Sequence, residues 1–181
     1  MRAPFAVLFA CVALGAAACA PPADSADAAR EPATVRKVLD GDTIEVARGA
    51  RIDRVRLIGV DAPEAHDSPK LDRQVAGGRD RDTILALGRA SSVFTRERLL
   101  GRHVELELDV ETRDRFGRLL AYVWLPDGTL FNATLLEAGQ ARLLTIPPNV
   151  RYVDRFRPLE RAAREARRGL WASDDSRRGG S

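Results

Sequence analysis

Cysteine and histidine are nearly absent: the 181-residue chain has two of each. That excludes a zinc finger, a disulfide scaffold and a two-histidine zinc site. Both cysteines, Cys11 and Cys19, fall in the first twenty residues, so the domain that follows has no internal disulfide and depends on packing and any bound metal. Net charge is also scarce, +3 from 29 basic and 26 acidic residues, which excludes a polybasic coat for nucleic acid. Charged residues make up 30%, too many for a membrane-embedded protein, while 45% hydrophobic content argues against disorder along the whole chain. The length suits one domain with a proper core.

Met1 to Ala20 reads as a leader: Arg2 gives the positive start, and Ala3 to Ala20 carries no charge. Gly15-Ala16-Ala17-Ala18-Cys19 resembles a bacterial lipoprotein box, although Ala16 stands where such boxes usually have Leu. Two outcomes stay open: lipidation of Cys19 with attachment to the cell envelope, or ordinary cleavage releasing a secreted or periplasmic protein. The expected layout is a leader over 1–19, a flexible linker over 20–32, one domain over 33–171 and a disordered polar tail over 172–181.

Within the domain, Thr34 to Val46 reads as a hairpin around Asp40-Gly41-Asp42, and Ile52 to Val60 as a third strand stopped by Asp61-Ala62-Pro63-Glu64. His66 to Gly78 reads as a polar loop, with His66 a solvated side chain. Asp80 to Leu100 has helical spacing, with Ile84, Leu87, Ser91, Phe94 and Arg98 on one face. Strands follow at His103 to Val110 and Leu119 to Leu125, then helices at Leu130 to Gly139 and Pro158 to Arg168. Trp124 and Trp171 read as core and helix-docking residues. Five short strands interrupted by helices suggest a small α+β barrel.

The chemistry gathers at two turns. Asp40 and Asp42 occupy one, and Asp61 and Glu64 follow the third strand; if the turns face each other, several carboxylate oxygens meet, as a hard cation requires. Taken singly, Asp-Gly-Asp is also plain turn chemistry. Arg56 and Arg118 add planar forks suited to phosphate, or to structural ion pairs with the same acids.

Val55-Arg56-Leu57-Ile58-Gly59-Val60-Asp61-Ala62-Pro63-Glu64, preceded by Asp40-Gly41-Asp42-Thr43, resembles the staphylococcal nuclease (thermonuclease) family. A second signature, Asp114-Arg115-Phe116-Gly117-Arg118-Leu119-Leu120-Ala121-Tyr122-Val123 with Asn132 downstream, matches too, as does Gly169-Leu170-Trp171. The resemblance implies a mainly β α+β architecture, an OB-fold five-stranded Greek-key barrel with three helices. It implies a monomeric, Ca²⁺-dependent phosphodiesterase acting on DNA and RNA, preferably single-stranded or locally opened, and leaving 3′-phosphates. Carried over by residue, Asp42, Asp61 and the carbonyl of Ala62 are metal ligands, Glu64 orients or deprotonates the attacking water, and Arg56 and Arg118 clamp the phosphate. Three carboxylates and two guanidiniums give this set a net charge of −1, which Ca²⁺ turns to +1, ready for a monoanionic phosphodiester.

Three features depart from the family pattern. Leu144 and Ile146 stand where base-stacking tyrosines are common, so nucleotide affinity or base preference is expected to be weaker. Phe116 replaces a usual tyrosine, and the segment from His66 to Arg89 is longer than in the family. Arg151 to Ser181 carries nine arginines against five acids, which fits a solvated helix face with pairs such as Glu160–Arg164, or a basic stretch that steers a nucleic-acid backbone. Competing readings are a nucleic-acid-binding OB module without catalysis and a non-enzymatic envelope lipoprotein whose acids are structural.

Overall fold

A computed structural model describes residues 29–78 and 80–172. The leader, the possible lipidation at Cys19, most of the linker and nearly all of the polar tail lie outside the described residues.

Five strands close into a barrel. β1 (Arg30–Asp40) pairs antiparallel with β2 (Thr43–Arg48), and β2 with β3 (Arg51–Leu57). β3 runs parallel to β6 (Leu119–Trp124), and β5 (His103–Glu107) closes the ring between β6 and β1. This is the OB-type barrel expected. Alternation along the strands puts Val35, Val46, Val55, Leu57, Leu106 and Val123 inside with almost no solvent exposure. Trp124 joins that core, and His103 opens β5 at the surface, bonded to the Thr34 hydroxyl at 3.0 Å.

The first strand begins at Arg30, so the last residues of the expected linker belong to the barrel. Arg30 is paired in register with Glu107, and its guanidinium lies 3.9 Å from the Trp124 ring centroid. The expected third strand breaks in two. After Leu57 the chain turns at Ile58-Gly59, and β4 (Val60–Asp61) pairs instead with β7 (Arg142–Leu143). Gly59 has φ of 79°, and a Cβ there would meet the Phe156 ring at 2.5 Å, so only glycine fits. The turn is pinned by the fully buried Asn132, which donates to the Ile58 carbonyl at 2.8 Å and accepts from the Val123 N–H at 2.9 Å.

Among the described residues four α-helices decorate the barrel rather than three. The additional one, α1 (Pro69–Ala76), lies inside the expected loop. Ser68 caps it by accepting from the Leu71 N–H at 3.1 Å, Pro69 opens its first turn, and Leu71 is fully buried. Burying one leucine contributes about 1.5–3 kcal/mol, enough to fix a short polar helix. α2 (Arg81–Leu99) is capped by Asp80, which accepts from the Thr83 N–H at 2.7 Å, and its buried residues are Ile84, Gly88, Ser91, Thr95 and Leu99. Ile84 and Ser91 were expected there, and Leu87 and Phe94 are half-buried as expected, Leu87 against the Trp171 cluster and Phe94 against the main core. The closest approach falls to Gly88 and Thr95, where neighbouring backbone leaves no room for a large side chain.

α3 (Phe131–Glu137) falls where the sequence places it. α4 (Val153–Glu165) starts earlier than Pro158, which sits inside the helix rather than in its first turn. Tyr152 and Phe156 set this start: both are buried, with Tyr152 stacked edge-on against Tyr122 at 4.6 Å between centroids. Glu160 and the exposed Arg164 make the expected contact, at 3.9 Å, with the half-buried Glu160 also accepting from the Leu143 N–H at 3.0 Å. A short 3₁₀ turn, Gly169–Trp171, docks Trp171 against Leu170 and Ala163.

Candidate active site

The small face of α2 brings the two acidic turns together. Thr95 Oγ1 donates to the Gly41 carbonyl at 2.7 Å, holding the β1–β2 turn on the helix. A Cβ on Gly41 would lie 2.0 Å from Ser91 Oγ and 2.7 Å from Ala62 Cβ. One turn further along the helix, a Cβ on Gly88 would meet the Glu64 carbonyl oxygen at 2.1 Å. Gly88, Ser91 and Thr95 thus seat the Asp40–Asp42 turn and the Asp61–Glu64 turn side by side on one surface.

Asp42 is almost fully buried, and its carboxylate joins the two turns. Oδ2 accepts from the Ala62 N–H at 2.7 Å, and Oδ1 from the Thr43 hydroxyl at 3.0 Å. Arg56, from β3, places Nη1 against Asp42 Oδ2 and Nη2 3.0 Å from Asp61 Oδ1. Burial opposes the charge on Asp42, but the guanidinium of Arg56 and the ammonium of Lys70 outweigh it and hold this carboxyl below its ordinary value. Asp40 goes the other way: burial, then the nearby charge of Asp42, push it up to about 7. Its Oδ1 accepts from the Asp42 N–H at 3.1 Å, which closes the turn.

Asp61, Ala62 and Glu64 converge on one cation position, and in this structure that cation is Lys70. Its Nζ lies 2.8 Å from Asp61 Oδ1, 2.9 Å from the Ala62 carbonyl and 2.9 Å from Glu64 Oε1. Ser68 Oγ donates to the other Glu64 oxygen at 2.8 Å, so the start of α1 holds the whole carboxylate. Among the described residues no three acidic, histidine or cysteine side chains are arranged as a ready cage for a metal ion. The donor chemistry nevertheless fits a hard cation, because the set consists of oxygens alone and already holds one positive charge at close range.

Arg118 stands apart from the acids. Its Nε and Nη2 both contact Asp114 Oδ2 at 2.7 Å, and Asp114 Oδ1 accepts from the Arg118 N–H at 3.0 Å. Burial opposes the charge on Asp114, yet these bonds hold its carboxyl below the usual range. Arg118 and Arg56 nevertheless line the same cavity, of about 510 Å³, whose other walls include Phe116, Leu144 and Ile146. Phe116 is 69% exposed and Ile146 58%, so the rim is apolar and open to a ligand.

Five of the six residues singled out in the sequence, Asp42, Arg56, Asp61, Ala62 and Glu64, therefore form one cluster, with Arg118 across a shared cavity. Lys70 and the tethering acid Asp114 went unrecognised in the sequence. The signal for Lys70 was the Ser68-Pro69 helix start, which places the next residue beside the acidic turn. For Asp114 it was the spacing of four residues to Arg118.

Residues 54–173 match the family described as staphylococcal nuclease homologue. The chain is 36% identical over 147 residues to the thermonuclease of Staphylococcus intermedius, spanning 81% of this chain and 80% of that protein. It is 33% identical over 139 residues to the thermonuclease of Staphylococcus hyicus, spanning 77% and 75% of the two chains. A third relative, the endonuclease YncB of Bacillus subtilis, is 33% identical over 141 residues, covering 77% of this chain and 61% of that one.

Proposed function

Because this chain belongs to the staphylococcal nuclease family and is a nuclease hydrolysing phosphodiester bonds of nucleic acid, we propose that it is a calcium-dependent enzyme that cleaves DNA and RNA to leave 3′-phosphates. Asp42, Asp61 and the Ala62 carbonyl hold the ion. The observation that carries this reading is the convergence of Asp61, Ala62 and Glu64 oxygens on one cation position beside Arg56. Ca²⁺, when bound, supplies Lewis-acid polarisation of a phosphoryl oxygen.

The chain's own residues account for the remaining steps. Arg56 and Arg118 face one cavity and grip the non-bridging oxygens of the scissile phosphate. Asp114 fixes the Arg118 guanidinium through two of its nitrogens, so little reorganisation is needed as negative charge grows on the phosphoryl group. Glu64 positions a water against phosphorus and takes its proton on a carboxylate oxygen as the new P–O bond forms. The bond from phosphorus to the 5′ oxygen breaks, its electron pair leaves with that oxygen, and the phosphate stays on the 3′ side. Leu144 and Ile146 give the nucleoside an apolar wall in place of an aromatic platform, which favours weak base preference. An open cavity of this size admits a single strand or a locally opened duplex, and the protein acts as a monomer.

The leader-like first twenty residues support export, with Cys19 lipidated and the enzyme held at the cell envelope. Mass spectrometry of the native N-terminus is expected to find the lipid; an unmodified terminus discards the anchor.

The activity test is incubation of the purified protein with single-stranded DNA and Ca²⁺, with and without chelator. Degradation is expected to stop with chelator and to fall about 10²–10³-fold in Arg118→Ala. Cleavage that persists in chelator refutes the calcium requirement, and full activity in Arg118→Ala refutes the phosphate clamp.

A further inference from the structure

The basic residues of this chain are overwhelmingly arginine. Of 29 basic residues only two are lysines, Lys37 and Lys70. Lys37 is exposed on β1, whereas the Lys70 ammonium makes close contacts with Asp61, Ala62 and Glu64. An ammonium has three N–H donors, and these three oxygens offer one acceptor to each. Two of the three, Asp61 Oδ1 and the Ala62 carbonyl, are the oxygens read above as metal ligands.

We propose that Lys70 is a built-in competitor for the divalent cation: ammonium and metal exclude one another at Asp61, Ala62 and Glu64, and calcium binds only by displacing Lys70. The inference rests on the reading of Asp42, Asp61 and Ala62 as the calcium ligands, and it adds how that site is regulated. Exclusion follows from distance and charge. Calcium takes oxygen ligands at about 2.3–2.6 Å, so it and an ammonium on the same oxygens would be near neighbours of like sign.

The residue type suits exchange. An arginine there would be a planar, bidentate partner, whereas lysine is a hydrated point charge on a flexible stem. Lys70 keeps 29% of its side chain in contact with solvent, so water is at hand when the ammonium leaves. α1 need not unfold for this, because Leu71 and the Ser68 cap anchor it independently. Without calcium, Lys70 neutralises part of the acidic cluster; with calcium, the oxygens change partner and Glu64 is freed for water.

The test is calorimetric titration of CaCl₂ into the full chain, comparing the native sequence with Lys70→Met, Lys70→Arg and Asp61→Asn. Lys70→Met is expected to bind calcium at least about tenfold more tightly, since a repelling charge within a few ångströms is removed. Lys70→Arg keeps the charge and is expected to stay as weak as the native chain. A second readout needs no variant: with ¹³Cε-labelled lysine the protein gives two signals, and calcium should shift that of Lys70 while Lys37 stays in place. Equal or weaker affinity in Lys70→Met, with binding lost in Asp61→Asn, overturns the competition and leaves the calcium reading standing. A Lys70 signal that ignores saturating calcium also overturns it. Absence of calcium binding in both the native chain and Lys70→Met overturns both readings.

Discussion

Replacing Gly88 by alanine sets two physical effects against each other. Gly88 lies in the interior of α2, where helix propensity alone makes alanine more stable by about 0.5–1 kcal/mol. Tertiary structure says the opposite. The new Cβ would lie 2.1 Å from the Glu64 carbonyl oxygen, 2.3 Å from its carbon and 2.6 Å from the Ala65 nitrogen, all backbone atoms. Reaching ordinary contact at 3.4 Å requires the Glu64 backbone or the helix to move by about 1.3 Å. Overpacking of this kind costs about 1–3 kcal/mol, which offsets the propensity gain and leaves a net loss of up to about 2.5 kcal/mol. The displaced backbone carries Glu64, and a misplacement of about 1 Å at a reacting group lowers rate by about 10²-fold. Urea unfolding and initial rates on single-stranded DNA check the two halves separately. A Gly88→Ala protein that is more stable and fully active would refute the role given to α2 as the seat of both acidic turns.

Two further outcomes concern the scaffold beneath the site. Asn132→Ala strips the Val123 N–H and the Ile58 carbonyl of their side-chain partner in a fully buried place; at about 1–3 kcal/mol per orphaned group the loss should be about 2–6 kcal/mol in urea unfolding, and a loss below that range refutes the pinning of the Ile58-Gly59 turn. Asp40, with its folded value raised to about 7 against 3.8 in the free side chain, should titrate near neutrality by carboxyl carbon NMR in calcium-free buffer. Its protonated form therefore adds stability that is complete below 3.8 and lost as pH rises through about 7, and Asp40→Asn should remove that slope. An Asp40 carboxyl that titrates in the ordinary acid range refutes the buried pairing with Asp42.

The sequence alone determined the parts whose physics is local. Alternation at Val35, Val46, Val55 and Leu106 dictates strands, Asp40-Gly41-Asp42 dictates a tight turn, and the helical spacing from Asp80 to Leu100 dictates α2. Ordered motifs around Arg56, Asp61 and Arg118 were likewise enough to name the family. Tertiary structure decided what depends on distance between remote segments. Along α2, Leu87 and Phe94 pack where their spacing places them, but the deepest positions also include Gly88 and Thr95, because two backbone turns come too near for a large side chain, and hydrophobic spacing cannot register that approach. α4 starts before Pro158 because Tyr152 and Phe156 find the barrel surface, a contact that no local rule encodes. Lys70 stood in a polar stretch with one leucine of helical signal, and its partners all come from the Asp61–Glu64 turn. Those partners lie within nine residues along the chain, but it takes the turn of the chain into α1 to bring the ammonium within 2.9 Å of three of their oxygens, a reversal that a polar stretch does not spell out.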